Sequence, residues 1–343
     1  MKGTYFLGNK QYITKETDKK IVGPHDVFIR NMAAGICGTD VHIYHGEEGS
    51  AAVTPPVILG HEYSGVVEAI GENVTAVQVG DHVTVDPNMY CGQCDFCRAG
   101  KKQLCNNMVA VGVNFDGGFS EYSVVPERQC FKLAKHLPFE VGAMAEPIAC
   151  CLHGIDLAEI KPGHHVLVIG GGAIGLIMAQ LARLSGAASV IVSEPIGMRR
   201  KIALEIGADG VIDPIHEDVK TRFMELTGFD GAEVIIECVG KPIAVQQAIN
   251  AAAKGAMLML FSVPGVKDTL QLPLFDIFKK ELTIRGSMVN PDTHARAVAL
   301  LNNNRLIIEP LITHCYPLEQ VEQAIHMQMS AESIKVLIKP WSE

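Results

Sequence analysis

The sequence shows no apolar run in its first residues, no uncharged run long enough to cross a bilayer and no surplus of basic residues, and each absence argues against a class of function. It begins MKGTYFLGNK, where a secretory signal would need a run of apolar residues. Nothing therefore routes the protein to an oxidising compartment, and a cytoplasmic location is expected. The longest uncharged run, Val166 to Ala182, holds three consecutive glycines and Gln180; it falls short of a membrane span and reads as a buried strand passing into a helix. No membrane partner is expected. Lys and Arg total 29 against 38 Asp and Glu, a formal net charge of -9. A nucleic-acid surface needs clustered cations that displace counterions, so that partner is excluded as well. No low-complexity tract or long repeat interrupts the chain. What remains is a globular composition, 48% hydrophobic and 20% charged. The 343 residues exceed what one core normally holds, which predicts two domains and small-molecule chemistry.

Of ten cysteines, Cys91, Cys94, Cys97 and Cys105 form a C-x2-C-x2-C-x7-C array. Closely spaced thiolates repel unless a cation lies between them, and four thiolates with no spare position suit a closed, tetrahedral structural zinc site. Two disulfides, an iron–sulfur cluster and scattered free thiols are the competing readings. A bacterial ferredoxin run would place its fourth cysteine three residues on and follow it with proline, whereas here the gap is seven and Asn106 follows. Without an oxidising compartment, disulfides fit poorly. The lobe, residues 88–108, reads as architecture.

A second signal lies in the apolar segment. The strand His165-Val-Leu-Val-Ile169 leads into Gly170-Gly-Gly-Ala-Ile-Gly175 and then into the helical pattern LIMAQLARL. Gly170, Gly172 and Gly175 fit G-x-G-x-x-G, which permits a tight turn, close approach of a pyrophosphate and close packing of helix on strand. The helix N-terminus, with Ala173 and Ile174, offers its N–H groups to the phosphates. A lone match of this kind is weak. Here a second strand, Ser189–Ser193, ends in Glu194, about twenty residues further on, where a carboxylate can hold both ribose hydroxyls and repel a 2′-phosphate. NAD is therefore expected over NADP. Arg199 and Arg200 could neutralise an extra phosphate, against which stands the plainer reading of a solvated first helical turn. Alternating helix and strand patterns continue to Gly286, so 148–286 is expected to be a doubly wound parallel α/β domain.

Residues 1–147 carry short β-branched runs, such as Val57–Leu59, Gly65–Ile70 and Asp81–Val85, punctuated by Gly, Pro, Asn and Asp. Strands without intervening helices predict a largely antiparallel barrel or sandwich, and residues 287–343, too few to fold comfortably alone, are expected to return to it. Within this part, Cys37, His61, Glu62 and Glu146 offer a thiolate, an imidazole and carboxylates, a mixed set that suits an open catalytic metal site. Taken singly, each has a bland reading as a small buried residue, a core histidine or a cap. An ideal strand would point adjacent His61 and Glu62 to opposite faces, so one of them needs a turn to reach the ion.

Cys37-Gly-Thr-Asp, Gly60-His-Glu-x-x-Gly65, the four-cysteine lobe, Gly117-Gly-Phe-Ser-Glu-Tyr122 and the glycine loop occur in the order seen in zinc-dependent medium-chain dehydrogenases. The chain resembles that family over essentially its whole length, and Glu146-Pro147 is similar to the polyol branch. The resemblance implies a GroES-like catalytic domain, a Rossmann domain, an active site in the cleft between them, and two zinc ions per chain. It makes Cys37 and His61 metal ligands, with Glu62 a third ligand or close neighbour and Glu146 a carboxylate for the ion or its water; such a site also accepts Mn or Fe(II). Thr39 resembles the family's hydroxyl relay and His42 the next station toward solvent. Val239, Ser262, Val263, Ser287 and Met288 join the expected cofactor contacts, while Tyr44, His45 and Phe115 are candidates to line the pocket. The implied reaction takes a hydride from a secondary alcohol, a polyol or sugar alcohol with or without phosphate, to NAD, after the ion has favoured the alkoxide. The family also implies a homodimer or homotetramer.

Sorbitol dehydrogenases carry an Arg-Tyr pair after the last Rossmann strand, whereas this chain has Ser287-Met-Val-Asn290, which argues against sorbitol itself. Two rivals stand beside the polyol reading. A threonine-type amino-alcohol dehydrogenase needs a cation for the substrate carboxylate, and no Arg or Lys lies beside Cys37, His61 or Glu146 in sequence. A zinc-stabilised NAD-binding redox sensor needs no convergence of the mixed ligands at all. Cys150 and Cys151 are expected to be buried small residues of a helix.

Overall fold

The computed structural model describes residues 1–18, 21–47 and 52–341. The chain divides into two compact units, Met1–Ala149 with Asn290–Glu343, and Cys150–Val289. The helix Ala145–Ala158 runs across the first division, so no loop composition marks the boundary.

Unit 1 is built on a seven-stranded sheet in which the long strand Asp26–Gly35 pairs antiparallel with Glu62–Ile70, with Tyr122–Pro126 and, at its end, with Lys335–Lys339. The strand Ile312–Pro317 lies parallel to Lys335–Lys339 and forms one edge. The C-terminal segment thus supplies two strands of the same sheet. Ile29, Leu59, Tyr63, Phe119 and Ile338 belong to the core beneath it. The sheet is largely antiparallel, as expected, though helices also occur in this unit. Gly38–His45 is helical, and so is Val321–Gln328. The first escapes a periodicity reading because its buried residues are Asp40, Ile43 and Tyr44, a stripe led by a carboxylate.

Unit 2 is a six-stranded, all-parallel sheet. Its spatial order runs Gly210–Ile212, Ser189–Ser193, His165–Ile169, Ala232–Glu237, Ala252–Leu260, Thr283–Gly286. This is the order of a dinucleotide fold, whose ligands lie at the carboxyl ends of the strands where the order reverses. Val166, Leu167 and Val168 are fully buried, as a strand covered on both faces requires. The helix Leu274–Lys280 was not anticipated. None of its residues is buried, so it shows no inward stripe to read. The strand Ala252–Leu260 opens on two alanines, which carry little strand signal. The apolar helical stretch Phe139–Ala158 has the length and hydropathy of a span, yet 78% of it is buried within the fold.

Candidate metal centres and nucleotide loop

In unit 1 the strand Asp26–Gly35 delivers the chain to Cys37, which caps the helix Gly38–His45 in an extended conformation. The Cys37 N–H donates to Asp40 Oδ2 at 2.8 Å, fixing the thiol at the N-terminus of that helix. Gly60, at φ +94°, turns the chain just before the strand that opens at Glu62. His61 therefore lies outside the strand, and the alternation that would separate it from Glu62 does not apply. The ligand atoms of Cys37, His61 and Glu62 lie within 4.8 Å of one another.

Charge is concentrated there without water to screen it. His61 and Glu62 are 6% and 1% exposed, and Asp40 is fully buried. Burial works against a charged His61, yet the Cys37 sulfur, Asp40 and Glu146 outweigh it and hold the imidazole pKa well above its ordinary value. Burial likewise raises the Asp40 carboxyl, opposed by His61 and by its bond from the Cys37 N–H. Asp40 Oδ1 and His61 Nδ1 are 3.8 Å apart. A buried site that gathers a thiol, an imidazole and a carboxylate within 4.8 Å, with two further buried carboxylates acting on the imidazole, is one a divalent cation fits, and soft thiolate with imidazole and carboxylate is a donor set for zinc. Glu146, in the first turn of Ala145–Ala158, is buried. It stands outside the compact trio, while its charge acts on His61.

Sequence reasoning missed one member. Lys335, only 4% exposed, pairs with Glu62, so a cation does adjoin the trio. Its signal was a lysine inside the apolar run Ile334–Ile338. Thr39 is half-buried in the turn after Cys37. His42, on the same face three residues on, bonds Glu47 through Nδ1 at 2.8 Å. Tyr44 does not line a pocket: it is buried in the core, and its hydroxyl donates to Glu322 at 2.9 Å. His45 packs its ring edge on Tyr44, and Phe115 is exposed.

The four lobe cysteines also converge, with sulfurs within 4.8 Å of one another. Backbone N–H groups of Cys91, Cys94 and Asn107 donate to lobe sulfurs at 3.4 Å. Backbone N–H groups, that of Gln93 first and that of Cys94 next, hold Cys91 down to about 6, while burial pushes Cys97 up to about 12. Four sulfurs so placed fit a tetrahedral zinc with no open position. None of the ten cysteines, all of them among the described residues, is joined in a disulfide.

In unit 2 the glycine loop has the shape the motif demands. Gly170 stands at φ +102°, a side chain on Gly175 would meet the Gly170 carbonyl oxygen at 1.8 Å, and Gly172 faces open space. Gly172 caps the helix Ala173–Leu184, which begins with Ala173 and Ile174. Glu194 is buried at the end of its strand, with Oε2 accepting from Gly171 N–H at 2.6 Å and Oε1 from Ile196 N–H at 2.8 Å. Arg200 is no solvated charge. It donates to the Glu194 and Pro195 carbonyls at 2.8 Å and pairs with Asp213 at 3.0 Å, bracing the loop. Arg199 is half-buried in the same first turn. Val239, which donates to Glu237 Oε1, packs against Gly170; Ser262 bonds the Glu237 carbonyl, with Val263 beside Gly240. The Ser287 N–H donates to Leu260, and Met288 follows at 36% exposure. These residues gather at the carboxyl edge of the sheet, the edge where a dinucleotide lies in this topology. The helix terminus, the open Gly172 and the strand-end carboxylate fit such a cofactor.

Fold and sites together define a metal-dependent dehydrogenase built from a GroES-like and a Rossmann unit. Comparison with known proteins agrees: residues 23–135 match the alcohol dehydrogenase GroES-like domain family and residues 173–303 the zinc-binding dehydrogenase family. The chain belongs to the zinc-dependent medium-chain dehydrogenases. It is 35% identical to an L-threonine 3-dehydrogenase of Caldanaerobacter subterraneus subsp. tengcongensis, covering 98% of this chain and 97% of that protein. It is 34% identical to a sorbitol dehydrogenase of Halalkalibacterium halodurans, covering 97% of each. A zinc-binding dehydrogenase from Sinorhizobium meliloti 1021, solved bound to NADP, superposes with a TM-score of 0.94 at 38% identity over 99% of both chains.

Proposed function

We propose that this dehydrogenase oxidises a secondary alcohol of the polyol or sugar-alcohol class with NAD, and that it carries two zinc ions per chain. The observation that carries the substrate class is the state of Lys335. It is the cation found beside the metal trio, and Glu62 occupies it in a pair where the side chains are 5% and 2% exposed. An amino-acid substrate brings a carboxylate that needs a free cation, whereas a polyol brings only hydroxyls. Cys37, His61 and Glu62 would hold the catalytic ion, with Glu146 as the further carboxylate, and the four lobe cysteines the structural one. The catalytic zinc, when bound, supplies Lewis acidity that makes an alcohol proton easier to remove near neutral pH. Thr39 would accept that proton and His42 would pass it outward. Glu194 supports NAD, because a buried carboxylate where the adenosine ribose lies disfavours a 2′-phosphate, and Arg200 is committed to Asp213.

The second reading, L-threonine oxidation, is favoured by the relatives named L-threonine 3-dehydrogenase. A panel of polyols, polyol phosphates and L-threonine with NAD or NADP, followed by absorbance of the reduced nicotinamide, separates the two. The polyol reading expects turnover of a polyol and none of L-threonine; efficient turnover of L-threonine contradicts it. A homotetramer or homodimer is supported by Leu274, Phe275 and Phe278, 75%, 70% and 78% exposed just ahead of the edge strand Thr283–Gly286, an apolar surface that a monomer seldom leaves bare. Light scattering after size exclusion reads the state directly. A cytoplasmic location suits ten reduced thiols.

A further inference from the structure

Two arginines follow the strand end that carries Glu194, and the fold commits one of them to a partner of its own. Arg200, in the helix Gly197–Glu205, donates through Nη1 to the Glu194 and Pro195 carbonyls at 2.8 Å, and its Nη2 meets Asp213 Oδ2 at 3.0 Å. Asp213 directly follows the strand Gly210–Ile212, which pairs in parallel with Ser189–Ser193. The pair therefore ties together the carboxyl ends of two neighbouring strands, at the edge where a dinucleotide lies in this topology. The Arg200 and Asp213 side chains are only 23% and 18% exposed, so water and salt screen them less than an open surface pair. Asp213 is well kept as an anion. Its Oδ2 also lies 3.1 Å from His216 Nδ1, and its Oδ1 accepts from the Ile215 N–H at 3.1 Å. The His216 bond first, then the Ile215 bond and the Arg200 charge, hold its carboxyl below the ordinary range.

The place of Arg200 gives that commitment a consequence for the cofactor. Its guanidinium rests on the backbone of Glu194, the residue whose carboxylate stands at the expected ribose site, and a guanidinium is the side chain best suited to grip a phosphate. Paired with Asp213, its charge is cancelled. We propose that Asp213 is a specificity-determining residue of the nucleotide site: by pairing with Arg200 it withholds that cation from the 2′-phosphate of NADP, and so favours NAD from outside both the glycine loop and the strand that ends in Glu194. This rests on the reading of Glu194 as the ribose carboxylate. It adds a second, separable reason for rejecting the extra phosphate, since Glu194 repels it and Asp213 removes a cation that would receive it. Arg200 is thereby a phosphate ligand held in reserve, and Asp213 acts through it as a positioning residue.

The sign of the effect separates this from a simple brace. Asparagine at 213 keeps an oxygen for Arg200 but gives up the charge, so a phosphate becomes the stronger acceptor. Kd values for NADH and NADPH, read by nicotinamide fluorescence on the zinc-loaded protein, test it. D213N should bind NADPH about tenfold more tightly than the wild type does, the low end of what one hydrogen bond to a charged group contributes, and NADH no more tightly. The gain should shrink at high ionic strength, as a charge effect must. A brace alone predicts the opposite, with both nucleotides weakened by like factors. NADPH affinity that is unchanged or lower in D213N overturns the proposal. In an R200M background the same D213N change should keep less than about a third of the gain on a logarithmic scale, because the cation to be released is gone. A full gain there would show that Asp213 acts on the phosphate directly and not through Arg200. D213S removes the carboxylate altogether and must shift the preference toward NADPH as well, so that if one variant folds poorly the other decides. The wild-type preference tests the underlying reading separately: NADPH bound more tightly than NADH would remove Glu194 as a bar to the phosphate before any variant is compared.

Discussion

Gly172 and Gly175 stand three residues apart in one motif, yet the structure gives them separable duties, and alanine at each distinguishes them. At Gly175 a methyl group would lie 1.8 Å from the Gly170 carbonyl oxygen, a backbone atom held in a turn at φ +102°. The helix must back away from the strand, and forced overpacking of this kind costs about 1 to 3 kcal/mol. At about 2 to 4 °C per kcal/mol for a domain of this size, G175A should lower Tm by roughly 2 to 12 °C. At Gly172 no atom lies within 4 Å, and the backbone is extended at φ -73° and ψ -177°. Alanine there loses a little as a helix cap and gains about as much by stiffening the unfolded chain, about 0.4 to 1 kcal/mol, so stability should hardly move. The space it fills is the approach to the helix N-terminus, where a pyrophosphate must come close. G172A should therefore raise the Kd for NADH at least about tenfold, or about 1.4 kcal/mol, in a titration of nicotinamide fluorescence, with Tm from differential scanning fluorimetry unchanged. An undiminished affinity in G172A, or equal losses of Tm in the two variants, would refute this division of labour.

Two further outcomes are expected. C97S removes the buried member of the lobe tetrad and should reduce zinc from two equivalents to one, measured by elemental mass spectrometry, with nucleotide affinity intact. Burial pushes Asp86 up from 3.8 to about 6, so the folded chain holds this proton more tightly than the unfolded one. The stability it contributes is complete below about pH 4 and is lost as pH rises through 6. D86N keeps an oxygen for the Asn88 N–H and the Asn290 amide and should gain on the wild type across that window, by at most roughly 3 kcal/mol. Urea unfolding from pH 4.5 to 7.5 checks it; a difference that ignores pH would contradict it.

Much of this protein was legible because its chemistry is spaced along the chain. Four cysteines in one lobe and a strand–glycine loop–helix announce themselves locally, and the parallel sheet follows from its alternating patterns. The catalytic trio was legible only as separate candidates, since Cys37 and His61 are far apart in sequence and meet through the pairing of Asp26–Gly35 with Glu62–Ile70. Lys335 was beyond reach for the same reason, 273 residues from Glu62. The helices Gly38–His45 and Leu274–Lys280 were missed on different grounds: one buries a carboxylate in its stripe, the other buries nothing. Arg200 read as solvent-exposed because a charge says nothing of the carbonyls that happen to surround it.

Cys37, His61 and Glu62 are expected to hold a second metal ion apart from the cysteine lobe. Zinc stoichiometry in the wild type and in H61A tests it most directly. Two equivalents are expected in the wild type and one in H61A, which should keep its NADH affinity and lose alcohol oxidation. One equivalent in the wild type, or two retained in H61A, would contradict it and leave a zinc-stapled nucleotide-binding protein in its place.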